Sequence, residues 1–143
     1  MNKGYRNETE LSLLFNWTLN NQSNCKATEG SDAVTPTGLG VSMKSGKASI
    51  PDHEDLLHEN MSKDEQIEAL EKNLSNHVFD LLSIRFDYRK NTFHLLFNRE
   101  EGIEFLLQYP FRVERESGNN GKKLKFRFYF NMSHCKLYKP IKL

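Results

Sequence analysis

Thirteen of the sixteen aromatic residues fall between Phe79 and Tyr138, and only Tyr5, Phe15 and Trp17 precede them. Aromatic side chains bury more surface than most others, so a core can be built chiefly in the second half of the chain. Composition bounds its size: of 143 residues, 37% are hydrophobic and 27% charged, which suits one modest domain with a tail. From Asn20 to about Ser62 there is no aromatic residue, and Gly, Ser, Thr, Pro, Asn and Asp dominate runs such as Gly30-Ser31-Asp32-Ala33-Val34-Thr35-Pro36. Such a segment offers little apolar burial against ~1 to 2 kcal/mol of backbone ordering entropy per residue. The sequence therefore predicts a short amphipathic segment over 1–20, a disordered linker over 21–61 and an α+β domain over 62–143.

Periodicity sets the elements. Glu8 to Leu19 reads as a short helix with Leu11, Leu14, Phe15 and Trp17 or Thr18 on one side, marginal alone and in need of a partner surface. That surface is either the chain's own domain or another protein. Ser62-Lys63-Asp64-Glu65 matches a capping box, in which Ser and Glu side chains reciprocally satisfy free amides. A helix from Ser62 to Ser83 is expected, with Ile67, Leu70, Leu74, then His77 or Val78, then Leu81 in a heptad-like stripe over barely three heptads. The stripe suits a helix packed on its own sheet or a short dimerising coiled coil. The period then changes to two at Ile84, Phe86 and Tyr88, followed by a turn at Arg89-Lys90-Asn91 and a second strand over Thr92 to Phe97. Arg99 to Gln108 is ambiguous between turn, strand and helix, whereas Phe111 to Glu116 and Lys122 to Phe130 form a second hairpin around Ser117-Gly118-Asn119-Asn120-Gly121. The expectation is one amphipathic helix packed on a four- or five-stranded antiparallel sheet, of α+β class, preceded by the linker.

Charge is divided in the same way. Residues 1–60 hold five Lys/Arg against eight Asp/Glu, residues 61–143 hold fifteen against eleven, and the last 27 contain seven cations and no acid. On a strand, Lys123, Lys125, Arg127 and Tyr129 project from one face and Leu124, Phe126, Phe128 and Phe130 from the other. With Lys122, Lys136, Lys139 and Lys142 they suit a phosphate backbone or an acidic protein segment, or simply a solvated edge hairpin. The phenylalanines oppose the cations, which points to charge-based contact and not to base reading.

Catalytic motifs fail on spacing. His53 and His58 are five apart, where a shared zinc-binding helical face needs four. Gly40 to Ala48 resembles a phosphate-binding loop, but five residues separate Gly40 from Gly46 and Ala48 stands where a hydroxyl belongs. His77, His94 and His134 share no spacing with a carboxylate and nucleophile that would suggest a triad, and His134 and Cys135 are adjacent, hence on opposite faces of a strand. Cys25 and Cys135, 110 positions apart, read as unpaired thiols. No catalytic, cofactor or metal-binding residue is expected.

The longest apolar runs, such as Leu11 to Phe15, fall far short of the ~18 to 20 residues of a membrane span, and Glu8 lies where a signal peptide would be apolar. A nuclear or cytoplasmic protein is expected. Six Asn-x-Ser/Thr triplets, at Asn7, Asn16, Asn21, Asn60, Asn73 and Asn131, exceed the roughly 1.7 expected by chance from 14 Asn and 17 Ser plus Thr. Without a targeting segment they read as the mark of an Asn-rich composition.

The helix ending in Phe79-Asp80-Leu81-Leu82-Ser83-Ile84-Arg85-Phe86, the strand Thr92 to Phe97 and the apolar run Ile103 to Leu107 resemble the start of RWD-type domains. Such domains cap coiled coils in kinetochore and other assembly proteins, and the resemblance covers about 50 residues. It implies a non-enzymatic assembly subunit. The leading expectation is thus an adaptor that binds a protein partner, or a second copy, through Ile67, Leu70, Leu74, Leu81 and the adjoining sheet. Leu11, Leu14, Phe15 and Trp17 would supply a tethered second contact. The alternative is a nucleic-acid-binding module using Lys122, Lys123, Lys125, Arg127, Lys136 and Lys139.

Overall fold

A computed structural model describes residues 3–20, 31–116 and 123–143, with side chains from Glu8 onward. In chain order the elements are α1 (Lys3–Phe15), β1 (Thr18–Leu19), β2 (Ala33–Val34), β3 (Gly40–Ser45), β4 (Lys47–Pro51), α2 (Lys63–Asn76), β5 (Leu81–Tyr88), β6 (Asn91–Asn98), α3 (Arg99–Gln108), β7 (Phe111–Arg115), β8 (Leu124–Tyr129), α4 (Met132–Cys135), a 3-10 turn (Lys136–Tyr138) and β9 (Ile141–Lys142). The α+β class holds. In place of one helix on a single antiparallel sheet, the described residues form four helices, a six-stranded sheet 1 in the order β1-β2-β3-β5-β6-β9 and a three-stranded sheet 2 in the order β4-β8-β7. Sheet 1 is mixed because β3 pairs in parallel with β5, and sheet 2 is antiparallel.

The expected linker is the largest correction. Residues 21–30 lie outside the described residues, but residues 33–51 supply three strands. Local composition understated this segment because its strands draw their order from distant partners. β3 pairs with β5 from Val41↔Leu81 to Ser45↔Arg85, and β4 pairs with β8 from Lys47↔Tyr129 to Pro51↔Lys125. Every backbone group so paired escapes the desolvation cost that an unpaired one would carry. A single residue, Gly46, separates the two strands, so the chain passes there from sheet 1 to sheet 2, and the Gly46 carbonyl accepts from Phe130 N at 2.7 Å. Residues 52–57 are fastened to α2: Asn73 Nδ2 donates to Asp52 Oδ1 at 2.8 Å, Glu54 N donates to Asn73 Oδ1 at 3.2 Å, and Leu57 N donates to Asp52 Oδ2 at 2.7 Å. Asn73, which heads one of the Asn-x-Ser triplets, is consequently buried in the folded chain.

α2 begins where the capping box places it, with Glu65 N donating to Ser62 Oγ at 3.2 Å and Ser62 N to Glu65 Oε1 at 3.0 Å. It ends at Asn76, and not near Ser83, because His77 turns extended (φ −84°, ψ 119°) and the arginine that opens α3 takes the terminal carbonyls. Arg99 Nη1 donates to His77 O at 2.6 Å and Phe79 O at 3.1 Å, and Nη2 to Leu74 O at 3.2 Å and Ser75 O at 3.1 Å. The guanidinium also lies 4.9 Å from the Phe79 ring centroid, a cation–π distance. Leu70 and Leu74, expected to face a partner, are 0% and 1% exposed in the chain's own core, with Ile67 packed against it. Leu81 belongs to β5 and not to the helix.

The ambiguous segment 99–108 is helical. Asn98 caps it by accepting from Glu101 N at 2.8 Å, and Gly102 brings α3 onto β5, where an added Cβ would stand 3.0 Å from Leu82 Cβ. The principal core lies between sheet 1, sheet 2, α2 and α3, with Phe79, Phe86, Phe126, Phe128, Leu82 and Ile84 fully buried.

A smaller core occupies the opposite face of sheet 1, where Leu11 and Leu19 meet Ala33, Val41 and Met43. Strand alternation permits both: Leu82 and Ile84 face one way, Leu81 and Ser83 the other. α1 stops at Phe15 because Asn16 adopts a left-handed conformation (φ 58°), which Asn tolerates and which closes a helix, so the expected helix to Leu19 becomes helix, turn and strand. The N-terminal segment is therefore folded onto the domain through Leu11, while Leu14 remains 59% exposed. Phe15 and Trp17 stack at 4.8 Å and lie over His94 at 4.9 and 6.4 Å.

Beneath those rings the Ser83 hydroxyl and His94 Nε2 share a buried hydrogen bond of 2.7 Å. Burial, with the nearby Arg85 charge, pushes His94 down from its ordinary 6.5 to about 4. Above pH 6.5 the imidazole is neutral whether the chain is folded or not. Below it the unfolded chain takes up a proton that the folded one refuses until about pH 4, so stability is lost over that window, by up to ~1.4 kcal/mol per pH unit. Wild type should melt several degrees lower at pH 5 than at pH 7, and His94→Gln should narrow that difference. An unchanged difference in the variant would contradict the assignment.

Candidate anion-binding face

Sheet 2 turns one face to the core and the other outward, and its register determines what the outer face carries. Along β8, Phe126 and Phe128 are buried while Lys125, Arg127 and Tyr129 alternate with them. β7 pairs Arg112↔Arg127 and Glu114↔Lys125, and β4 pairs Lys47↔Tyr129, Ser49↔Arg127 and Pro51↔Lys125. Directly paired residues share a face, so Lys47, Arg112, Lys125 and Arg127 lie on the same face as Tyr129, with Glu114 as the single acid among these cross-strand partners.

Tyr129 is 41% exposed. Lys47 Nζ and Arg112 Cζ lie 6.0 and 5.9 Å from its ring centroid, near the outer limit of cation–π attraction. Its hydroxyl donates to Glu114 Oε2 at 3.2 Å, and Glu114 Oε1 is 3.5 Å from Arg127 Nε. That ion pair is outside hydrogen-bond geometry, and Arg127 Nε is buried with no hydrogen-bond partner among the described residues.

Beside the face opens a cleft of about 540 Å³ lined by Pro110, Arg112, Arg127, Tyr129, Asn131 and His134, over Tyr109 and Phe111. The Tyr109 hydroxyl fixes its wall by donating to Tyr129 O at 2.8 Å and accepting from Asn131 N at 3.1 Å. Burial, reinforced by the Cys135 sulfur, raises the Tyr109 phenol, so it stays protonated and serves as a structural donor. Cys135 is fully buried and its thiol is raised by burial, with the Tyr109 and Asn131 hydrogen bonds acting the other way. These groups can hold an anion and flank a planar group. Among the described residues no three His, Cys, Asp or Glu side chains converge as metal ligands, and no helix is long and apolar enough to cross a membrane.

Of the cations expected to act together, Lys125 and Arg127 sit on this face and Lys123 lies just before β8, exposed. Lys122 is outside the described residues. Lys136 opens and Lys139 caps the turn whose Tyr138 packs edge-on to Phe105 at 4.9 Å, and neither lines the cleft. Lys47 and Arg112 were missed. The alternation of Phe111, Arg112 and Val113 was a signal for Arg112, but Lys47 lay in the segment read as linker.

No family model, curated protein or solved structure matches this chain.

Proposed function

We propose that the chain is a non-enzymatic binding module that lays a single-stranded nucleic acid across the outer face of sheet 2. One observation carries this reading: four cations from three strands share an open face with one exposed aromatic ring, two of them, Lys47 and Arg112, at about 6 Å from it. Cations that track phosphates, together with a ring on which a base can stack, are what sequence-independent recognition of a single strand requires. The three-stranded face is only ~10 Å across at ~4.8 Å per strand, which suits one extended strand.

Binding of a labelled 20-nucleotide single strand should weaken as salt rises, with a log-log slope near −3 for about four phosphates neutralised. Arg112→Glu with Lys125→Glu should weaken it at least tenfold, since attraction becomes repulsion at two contacts. Absence of binding at ~50 mM salt, or binding indifferent to salt, would overturn the reading.

A second reading, a protein-assembly subunit of the RWD-like kind, draws on the other side of the molecule. Leu14, Leu96, Ile141 and Leu143 are 59%, 46%, 69% and 43% exposed. Leu96 and Ile141 flank His94 on one face of sheet 1, and Leu14 and Leu143 share a cleft beside α1. Such a strip suits an apolar partner surface. If it works this way, Ile141→Lys abolishes partner capture and leaves oligonucleotide affinity unchanged.

A further inference from the structure

We propose that the cleft beside Tyr129 seats the terminal phosphate monoester of the bound strand between Arg112 and Arg127, with the terminal base against Tyr129 and Pro110. This rests on the single-strand reading above and adds to it a preference for strand ends.

Three features point there. Arg112 and Arg127 are direct cross-strand partners, and like charges so placed repel. One carboxylate, Glu114, stands near them, and it is shared with the Tyr129 hydroxyl. Arg127 is held at 14% side-chain exposure with its Nε lacking a hydrogen-bond partner among the described residues. A group with several acceptor oxygens and two negative charges relieves the repulsion between the two guanidinium groups, and a phosphate monoester carries more charge than the diesters along a strand. His134 and Asn131 on the cleft wall add further polar groups, and its ~540 Å³ is within the range that holds a small ligand. From the cleft, Lys125 lies one step along the same face of β8 from Arg127, in line to meet the next phosphates. Arginine forks suit the end group, and lysine point charges suit the backbone.

The test compares 20-nucleotide single strands ending in 5′-phosphate, in 3′-phosphate or in hydroxyls, each labelled internally and titrated with the full chain at ~50 mM salt. One phosphate-ended strand should bind about tenfold tighter than the hydroxyl-ended one, and the two phosphate arms show which end is taken. Arg112→Gln should erase that advantage with its melting temperature unchanged, since Arg112 is exposed. Lys125→Gln should weaken all strands alike and keep the advantage. Equal affinity for all three strands, or an advantage that survives Arg112→Gln, overturns the end-binding proposal alone. If no strand binds, the single-strand reading falls and this proposal with it.

Discussion

Replacing Leu70 by Asp is expected to leave the chain unfolded at 25 °C. Leu70 is fully buried on the inner side of α2, where it joins Leu74, Leu82 and Ile84. Truncating such a leucine to Ala costs ~2 to 5 kcal/mol through lost transfer energy and the cavity left behind. A carboxylate there adds several kcal/mol of desolvation with no cation to receive it, against a total stability of ~5 to 15 kcal/mol for a domain. Circular dichroism of Leu70→Asp should show lost structure, and Leu70→Ala should fold with a clearly lowered melting point. A folded Leu70→Asp that had lost only an interaction would restore the stripe as a contact surface and contradict its placement in the core.

The second large effect belongs to Arg99. Its guanidinium donates to four carbonyls at the end of α2 and the start of the following turn, and it lies against Phe79. Leu74 O also accepts from His77 N at 3.2 Å, the other three carbonyls lie at or beyond the last turn of the helix, and the negative end of the helix dipole favours a cation there. Arg99→Ala should cost about 3 kcal/mol, the lower part of the sum of several charged hydrogen bonds because water recovers some of them. For a chain of this length that corresponds to a melting temperature lower by roughly 10 °C. Arg99→Lys should recover only part, since one ammonium cannot span the carbonyls as a planar fork does. Equal melting of Arg99→Ala and wild type would show that the cap contributes nothing.

What the sequence disclosed were features whose cause is local. The Ser62 and Glu65 box, the Ile67, Leu70 and Leu74 spacing of α2, and the alternation of Ile84 with Phe86 in β5 and of Phe126 with Phe128 in β8 each sit within one element and appear in the structure there. What it concealed were features whose cause is distant. β3 and β4 are polar runs whose order comes from β5 and β8, some forty and eighty residues away. α3 was obscured by Gly102, which reads as a turn residue but is required by the close approach to Leu82. The candidate face was half visible. Lys125, Arg127 and Tyr129 follow from alternation, as does the outward side of Arg112, whereas Lys47 joins them only through the pairing of β4 with a strand some eighty residues away. The Leu70 and Leu74 stripe shows the converse, since its spacing suits a partner's groove and the chain's own core equally, and only the position of the sheets decides between them.

The most direct test of the outer face of sheet 2 as the binding surface is a residue-resolved amide spectrum (1H–15N) of the chain titrated with a 5′-phosphorylated 20-nucleotide single strand at ~50 mM salt. Shifts confined to Lys47, Arg112, Lys125, Arg127, Tyr129 and His134, with the amides of α2 and α3 undisturbed, are the predicted result. Shifts gathered instead around Leu14, Leu96 and Ile141, or an unchanged spectrum at saturating strand, would contradict it.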